Sequence, residues 1–161
     1  MRVISWNTAK RLRKIDEQVN LLLKHDADIV TLQEIIPSTE LKFKRQLSQK
    51  YPYQVSSFEL APDLSVLKNK RMFGQLIASK YPIQPQSPKL INVPWQERVL
   101  SSMISIDGIN IIFHTTHIPP GSSNGWVKIE MISGIVKHLI SSNSSLIQVL
   151  CGDFNTPKNG E

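Results

Sequence analysis

The sequence predicts an α/β (α+β) protein in which stacked sheets carry their helices on the outside. Three observations lead there. The first thirty or so residues read strand, helix, strand, the pattern of a crossover unit with parallel or near-parallel strands. The middle of the chain reads as an antiparallel hairpin, and the end returns to helix and then strand. A simple doubly wound sheet would alternate throughout, so the hairpin argues for sheets packed on one another.

Each element has its own signal. "RVISW" is β-branched and apolar, a short strand with Asn7 at its exit. "LRKIDEQVNLLLKHD" sets Leu12, Ile15, Val19, Leu22 and Leu23 at helical spacing with charges opposite. "ADIVTLQEI" is the near-continuous apolar run of a strand buried on both faces, and it ends on Glu34. Ser38 is the expected N-cap of a second helix over roughly 39 to 50, closed before Pro52. "FELAPDLSVLKNKRM" reads as loop, and "GQLIASKYPI" as a strand that stops at Tyr81-Pro82. Three prolines make "QPQSPKLINVPWQER" an edge strand or an extended connection.

"VLSSMISIDGINIIFHTTH" is the clearest local signal. Two β-rich runs flank Asp107-Gly108, the dipeptide favoured in type I′ hairpin turns. A polar loop, "IPPGSSNG", leads to the helix "WVKIEMISGIVKHLI", which carries Gly134 in its interior. "SSNSS" breaks the chain before the last strand, "LIQVLCGDFN".

A chain of 161 residues reads as a single domain large enough to bury a core. With 40% hydrophobic and 20% charged residues it has an ordinary globular composition. Its 19 Lys and Arg against 13 Asp and Glu give +6, which favours anionic partners: nucleic acid, phosphorylated metabolites or lipid headgroups. One cysteine, Cys151, excludes an internal disulfide and a cysteine-built zinc site, and reads as a small buried hydrophobe. No run approaches the ~18 to 20 apolar residues of a membrane span, so stable membrane insertion is not expected. The opening residues lack a secretory pattern, leaving a cytoplasmic address as the default.

Asn7, Glu34, His117, Asp153 and Asn155 each lie at or just past the end of an apolar strand. Singly, an Asn or Asp there is a turn or cap residue. Glu34 is different, because an unpaired charge leaving a core strand is costly and needs a cation, donors or water. An oxygen-rich set suits Mg²⁺, a hard ion that takes carboxylate and amide oxygens and keeps several waters. With Mg²⁺ such a site can support attack of water on a phosphate. Asp153 could orient or deprotonate that water, while Asn155 and His117 donate to the phosphoryl oxygens. "HTTH" raises zinc, but residues three apart on one strand point to opposite faces, so His114 reads as structural.

The ordered set "ISWN", "ADIVTLQE", "GQLIASKYPI", "TTHIPPG" and "VLCGDFNTP" resembles the endonuclease/exonuclease/phosphatase superfamily, to which deoxyribonuclease I belongs. The resemblance runs over the whole chain and implies a four-layer α/β/β/α sandwich of the deoxyribonuclease I-like type. It implies Glu34 as a metal ligand with Asn7 beside it in the metal and phosphate site, His117 on the scissile phosphate, Asp153 positioning the attacking water and Asn155 steadying the transition state. Mg²⁺ is the implied cofactor, with Mn²⁺ as a substitute. Arg98 in "QERVL" is a candidate substrate-binding residue, against the alternative of a surface ion pair.

Such proteins continue to a second acid and an "SDH"-type motif, which 1–161 does not contain. The resemblance therefore implies an incomplete domain lacking its C-terminal part, with an open sheet edge and little or no turnover as it stands. The expected function is a Mg²⁺-dependent phosphodiester hydrolase, with nucleic acid favoured by the basic stretches "AKRLRK" and "KFKR". The alternatives are a lipid or inositol phosphate hydrolase and, in another class, a degenerate nucleic-acid-binding module.

Overall fold

Two four-stranded sheets form where the sequence places its apolar runs. The computed structural model describes residues 1–60, 65, 67–142 and 146–156. In the first sheet, β1 (Val3–Asn7) runs parallel to β2 (Ile29–Ile35), and β4 (Gly74–Ser79) is antiparallel to both β2 and β3 (Tyr53–Ser56), in the order β1-β2-β4-β3. In the second, β5 (Ile83–Pro85), β6 (Val99–Ile106) and β7 (Ile109–His117) are antiparallel neighbours, and β8 (Ile147–Asp153) pairs with β7 in parallel, in the order β5-β6-β7-β8.

Three apolar layers separate four structural ones. Helices α1 (Ile15–His25) and α2 (Pro37–Leu47) place Ile15, Val19, Leu22, Phe43 and Leu47 against Val30, Leu32, Leu76 and Ala78 of the first sheet. Between the sheets, Ile29, Val55 and Ile77 meet Leu100, Ile104, Ile111 and Phe113. Outside the second sheet, Met131 and Ile135 of α4 (Gly121–Ser141) pack with Val99, Ile118, Ile91 and Val93. This is the expected α/β/β/α sandwich. Strand β2 is apolar on both faces because each face meets a layer.

The layer between the sheets turns polar toward one end. Gln33 Nε2 donates to Thr115 Oγ1 at 2.9 Å and to Ser5 Oγ at 3.1 Å. The first bond ties the two sheets together just below the strand ends that matter for function, and the second links β2 to β1 within the first sheet.

Several local expectations change. Leu12 lies in a 3₁₀ turn over Leu12–Lys14 and is exposed, because α1 begins only at Ile15. Helix α2 starts earlier than Ser38: Pro37 takes its first turn, where a missing N–H costs nothing, and Thr39 Oγ1 accepts from the Ile36 amide at 3.0 Å. Strand β3 and the short helix α3 (Ser57–Leu60) occupy a stretch that carries no strand alternation. Residues 61–64 and 66 of the expected loop lie outside the described residues, as do 143–145 of "SSNSS". The polar loop before α4 becomes its first turn, broken at Asn124 (φ −147°, ψ 44°).

Two glycines explain themselves by proximity. A Cβ at Gly134 would lie 2.2 Å from the Asn92 carbonyl oxygen, so glycine lets α4 sit directly on the Asn92–Val93 backbone. Asp107 and Gly108, at φ 50° and 80°, form the two-residue turn that pairs Ile106 with Ile109.

Candidate metal and phosphate site

Each sheet contains one parallel pair, and the two pairs finish at the same end of the sandwich. Asn7 stands opposite Gln33 in the first, and His117 opposite Asp153 in the second. The functional side chains therefore meet across the gap between the sheets. Asn7 Nδ2 donates to Glu34 Oε1 at 3.0 Å and to Asp153 Oδ2 at 2.6 Å. Its Oδ1 accepts the Ala9 amide at 2.8 Å, which sets the orientation of the side-chain amide. Asn7 thus presents an N–H to the acids, whereas the resemblance implies a place in the metal set.

Glu34 reaches this position through a β-bulge. Gln33 and Ile35 pair with Gln75 and Gly74, and Glu34 between them is left out of the ladder at φ 56°. Bulges of this kind re-aim a side chain. Thr8 pins the distortion: its amide and Oγ1 both bond the Gln33 carbonyl, and Oγ1 also reaches the Glu34 carbonyl at 3.2 Å.

His117 is buried, with its Nε2 3.4 Å from Glu34 Oε1 and 3.9 Å from Asp153 Oδ2. Its Nδ1 is hydrogen-bonded to Arg98 Nη1. A guanidinium can only donate, so Nδ1 is the acceptor and the proton of the neutral ring sits on Nε2. An Nε2–H has no lone pair for a metal, and it faces the carboxylates as a donor. Asn155 Nδ2, 3.2 Å from that nitrogen, is committed to the Ile118 carbonyl at 2.8 Å. Burial, reinforced by the Arg98 charge and opposed by Asp153, holds the His117 imidazolium well down, at about 4. The ring is neutral near pH 7, so its contacts with the acids are hydrogen-bond approaches and not ion pairs.

Arg98 is 3% exposed. Its guanidinium carbon lies 4.9 Å from the Phe73 ring centroid and 5.4 Å from that of Trp95. Burial pulls it down to about 10, which leaves it charged at neutral pH. It is not the surface ion pair that was the sequence alternative. The adjacent Glu97, equally buried, is held by Arg71 through two bonds of 2.8 Å.

Asp153 and Asn155 are fixed by a local turn. The Asn155 amide donates to Asp153 Oδ1 at 2.9 Å, Lys128 Nζ donates to the Asn155 carbonyl at 2.8 Å, and Asn155 is left-handed at φ 45°. Gly152 before them is at φ 139°, where a Cβ would lie 2.0 Å from the Thr116 carbonyl oxygen.

Glu34, His117 and Asp153 each bring a potential ligand atom to within 4.8 Å of the others. Two carboxylates this close repel one another, and a cation between them relieves it. With His117 Nε2 protonated, the available donors are carboxylate oxygens, a set that fits Mg²⁺ or Mn²⁺ better than zinc. His114 faces away from the cluster, bonding Ser101 Oγ at 2.7 Å and Gln148 at 3.1 Å. Burial raises the Cys151 thiol above its ordinary range, and it bonds Thr31 Oγ1 at 3.4 Å. Both take the structural roles their sequence context suggests.

Two cavities open onto the cluster. One of about 230 Å³ is lined by Glu34, His117, Asn155, Phe73, Trp95 and Pro119, among others. The second, about 500 Å³, lies on the Asp153 side with Ser122, Lys128 and Thr156. A larger cavity of about 640 Å³ lies apart from the chemistry, between α4 and Leu90–Pro94.

The model of the Endonuclease/Exonuclease/phosphatase family matches residues 4–160. The chain belongs to that family. The solved structures it resembles include three that match over nearly all of this chain. TDP2 from D. rerio complexed with a single-strand DNA product is 14% identical, with a TM-score of 0.71, over 98% of this chain and 62% of that one. Beta toxin from Staphylococcus aureus with bound magnesium ions is 17% identical, with a TM-score of 0.72, over 94% and 60%. Sphingomyelinase C from Streptomyces griseocarneus is 16% identical, with a TM-score of 0.70, over 99% and 66%. The chain thus spans 60–66% of the length of these three proteins. None of the curated proteins compared with it matches. Among the described residues, no helix is long and apolar enough to cross a membrane.

Sequence reasoning missed Phe73, Trp95 and the Arg71–Glu97 pair. The acid of that pair stands in "PWQER" directly ahead of an apolar strand, but its base, Arg71, comes from 26 positions earlier in the chain.

Proposed function

We propose that this family member is a divalent-metal-dependent phosphodiesterase that acts on nucleic acid. The observation that supports this reading most directly is the convergence of Asn7, Glu34, His117, Asp153 and Asn155 from the ends of β1, β2, β7 and β8. Mg²⁺, when bound at the Glu34 carboxylate, would neutralise phosphate charge and favour attack by water. Asp153, whose oxygens are held by Asn7 and by the Asn155 amide, orients the attacking water and accepts its proton. The Nε2–H of His117 donates to a phosphoryl oxygen, with Arg98 behind the ring fixing that donor. One N–H of Asn155 Nδ2 bonds the Ile118 carbonyl and the second is left beside the same position for a further donor contact, and Asn7 keeps the two acids together.

Nucleic acid is favoured over a lipid phosphodiester by where the basic stretches fall. "AKRLRK" begins two residues after Asn7, and Lys10 Nζ lies 5.3 Å from the centroid of Phe73 at the cavity beside the cluster. "KFKR" is different: Lys42 pairs with Asp16 and Lys44 with Glu40 and Glu59, while Phe43 is buried, so both lysines of that stretch are already neutralised.

The experiment is Mg²⁺-dependent hydrolysis of bis(p-nitrophenyl) phosphate under single-turnover conditions, wild type beside Asp153→Ala. Metal-dependent release that disappears in the variant supports the reading. Release that is indifferent to Asp153 or to chelation contradicts it. Binding of a single-stranded oligonucleotide that weakens steeply with salt separates nucleic acid from a small or lipid substrate.

A further inference from the structure

Helix α4 is apolar on two faces, where a surface helix needs one. Met131 and Ile135 face inward and pack with Val99 and Ile118. On the opposite side Trp126, Ile129, Val136 and Ile140 stand exposed, Trp126 at 78% and Ile140 at 80%. Together with half-buried Ser133 they recur every three or four residues along the helix. That is the spacing of a helix-pairing seam and not of scattered surface residues. We propose that this stripe is a homodimer contact, on which a second copy of the chain lays its own α4 antiparallel. The proposal is independent of the nucleic-acid reading above.

Charge selects both the occupant and the register. Glu130 and Lys137 border the stripe where it meets the groove between α4 and Leu90–Pro94, and both are exposed. They are two helical turns apart, about 10 Å along the axis, too far to pair with each other. Neither has an ion-pair partner among the described residues. Around a two-fold axis each contact occurs twice with the roles exchanged. With Ile129 against the partner's Ile140, and Ser133 against the partner's Val136, Glu130 falls beside the partner's Lys137 and Lys137 beside the partner's Glu130. Sliding one helix by a heptad would instead set Glu130 against the partner's Glu130. The first register therefore satisfies both charges and covers the apolar stripe, while the small Ser133 lets the helices approach.

A lipid surface fits this face less well. Interfacial helices flank their apolar side with Lys and Arg, whereas one acid and one base flank this one and cancel. The contact is short, so its dissociation constant is expected on the order of 10 μM.

Sedimentation equilibrium over a concentration series reaching about 200 μM measures the association directly. The expected result is a reversible dimer. Glu130→Lys and Lys137→Glu each bring like charges together twice, and each should weaken the dimer about tenfold. An equimolar mixture of the two variants should recover wild-type affinity, because both pairs in the mixed dimer are again opposite in sign. Ile140→Ser should weaken the dimer by about tenfold or more. Lys24→Glu, an exposed charge on α1, should leave it unchanged. Thermal melts establish that each variant folds. A wild type that stays monomeric throughout the series overturns the proposal. So does a dimer that ignores both charge reversals, or one that mixing does not restore. Monomers that bind anionic lipid vesicles through this face assign it to a membrane and overturn the proposal as well.

Discussion

Asn7 Nδ2 and Asp153 Oδ2, separated by 146 positions in the chain, meet at 2.6 Å. The same nitrogen reaches Glu34 Oε1 at 3.0 Å, so one amide bridges the acids of both sheets. If that bridge fixes the acids for their work, Asn7→Ala should weaken metal binding or turnover about 10- to 100-fold, the range for groups that orient ligands. The fold should survive, since Asn7 is only partly buried. Metal titration and a thermal melt on the same sample check both halves.

Gly152 makes the turn into Asp153 possible. Gly152→Ala would set a Cβ 2.0 Å from the Thr116 carbonyl at φ 139°, and should cost about 3 kcal/mol or more. Gly108→Ala, at φ 80° with nothing within 4 Å, should cost only about 1 kcal/mol. Urea denaturation of the two variants measures the difference.

His117 makes stability depend on pH in a definite direction. Its folded value of about 4 lies below the ordinary 6.5, so the unfolded chain binds the extra proton between the two. This contribution is fully present above 6.5 and is lost as pH falls from there to about 4. Its upper limit is about 3 kcal/mol from the size of the shift. Carboxylates titrate in the lower part of that window, so the readout is the difference between wild type and His117→Gln. The variant should lose less stability between pH 6.5 and 4.

Arg98 should act through His117. In Arg98→Met, Nδ1 loses its obligate donor, and the ring should populate both neutral tautomers. Long-range ¹H–¹⁵N spectra of labelled protein read this directly: a single Nε2–H form in wild type, a mixture in the variant. Removing the cation should also raise the His117 value, since Arg98 is one of the causes that lower it.

Much of this architecture was legible in the sequence. Strand β2 announced itself because Val30 and Leu32 meet the helices while Ile29 meets the second sheet, which leaves a continuous apolar run. Asp107-Gly108 fixed the β6–β7 register, and the apolar strand ends marked where Asn7, Glu34, His117, Asp153 and Asn155 should gather. Other features depend on partners distant in the chain. The four residues of β3 become a strand only by pairing with β4. The Glu34 bulge is a backbone event that Thr8 stabilises from another strand's exit. For Arg98 the sequence left a phosphate contact and a surface ion pair both open, because what accommodates it comes from Phe73 and His117, brought in by the fold. The Asn7 amide orientation depends on Ala9, a residue with no polar side chain to signal it.

The most direct test of the central claim is calorimetric titration of Mg²⁺ and Mn²⁺ into wild type, Glu34→Gln and Asp153→Asn. The account predicts saturable binding at one site in wild type, weakened more than tenfold by Glu34→Gln. Absence of binding, or affinity unchanged by the loss of both Glu34 and Asp153 charges, would contradict it.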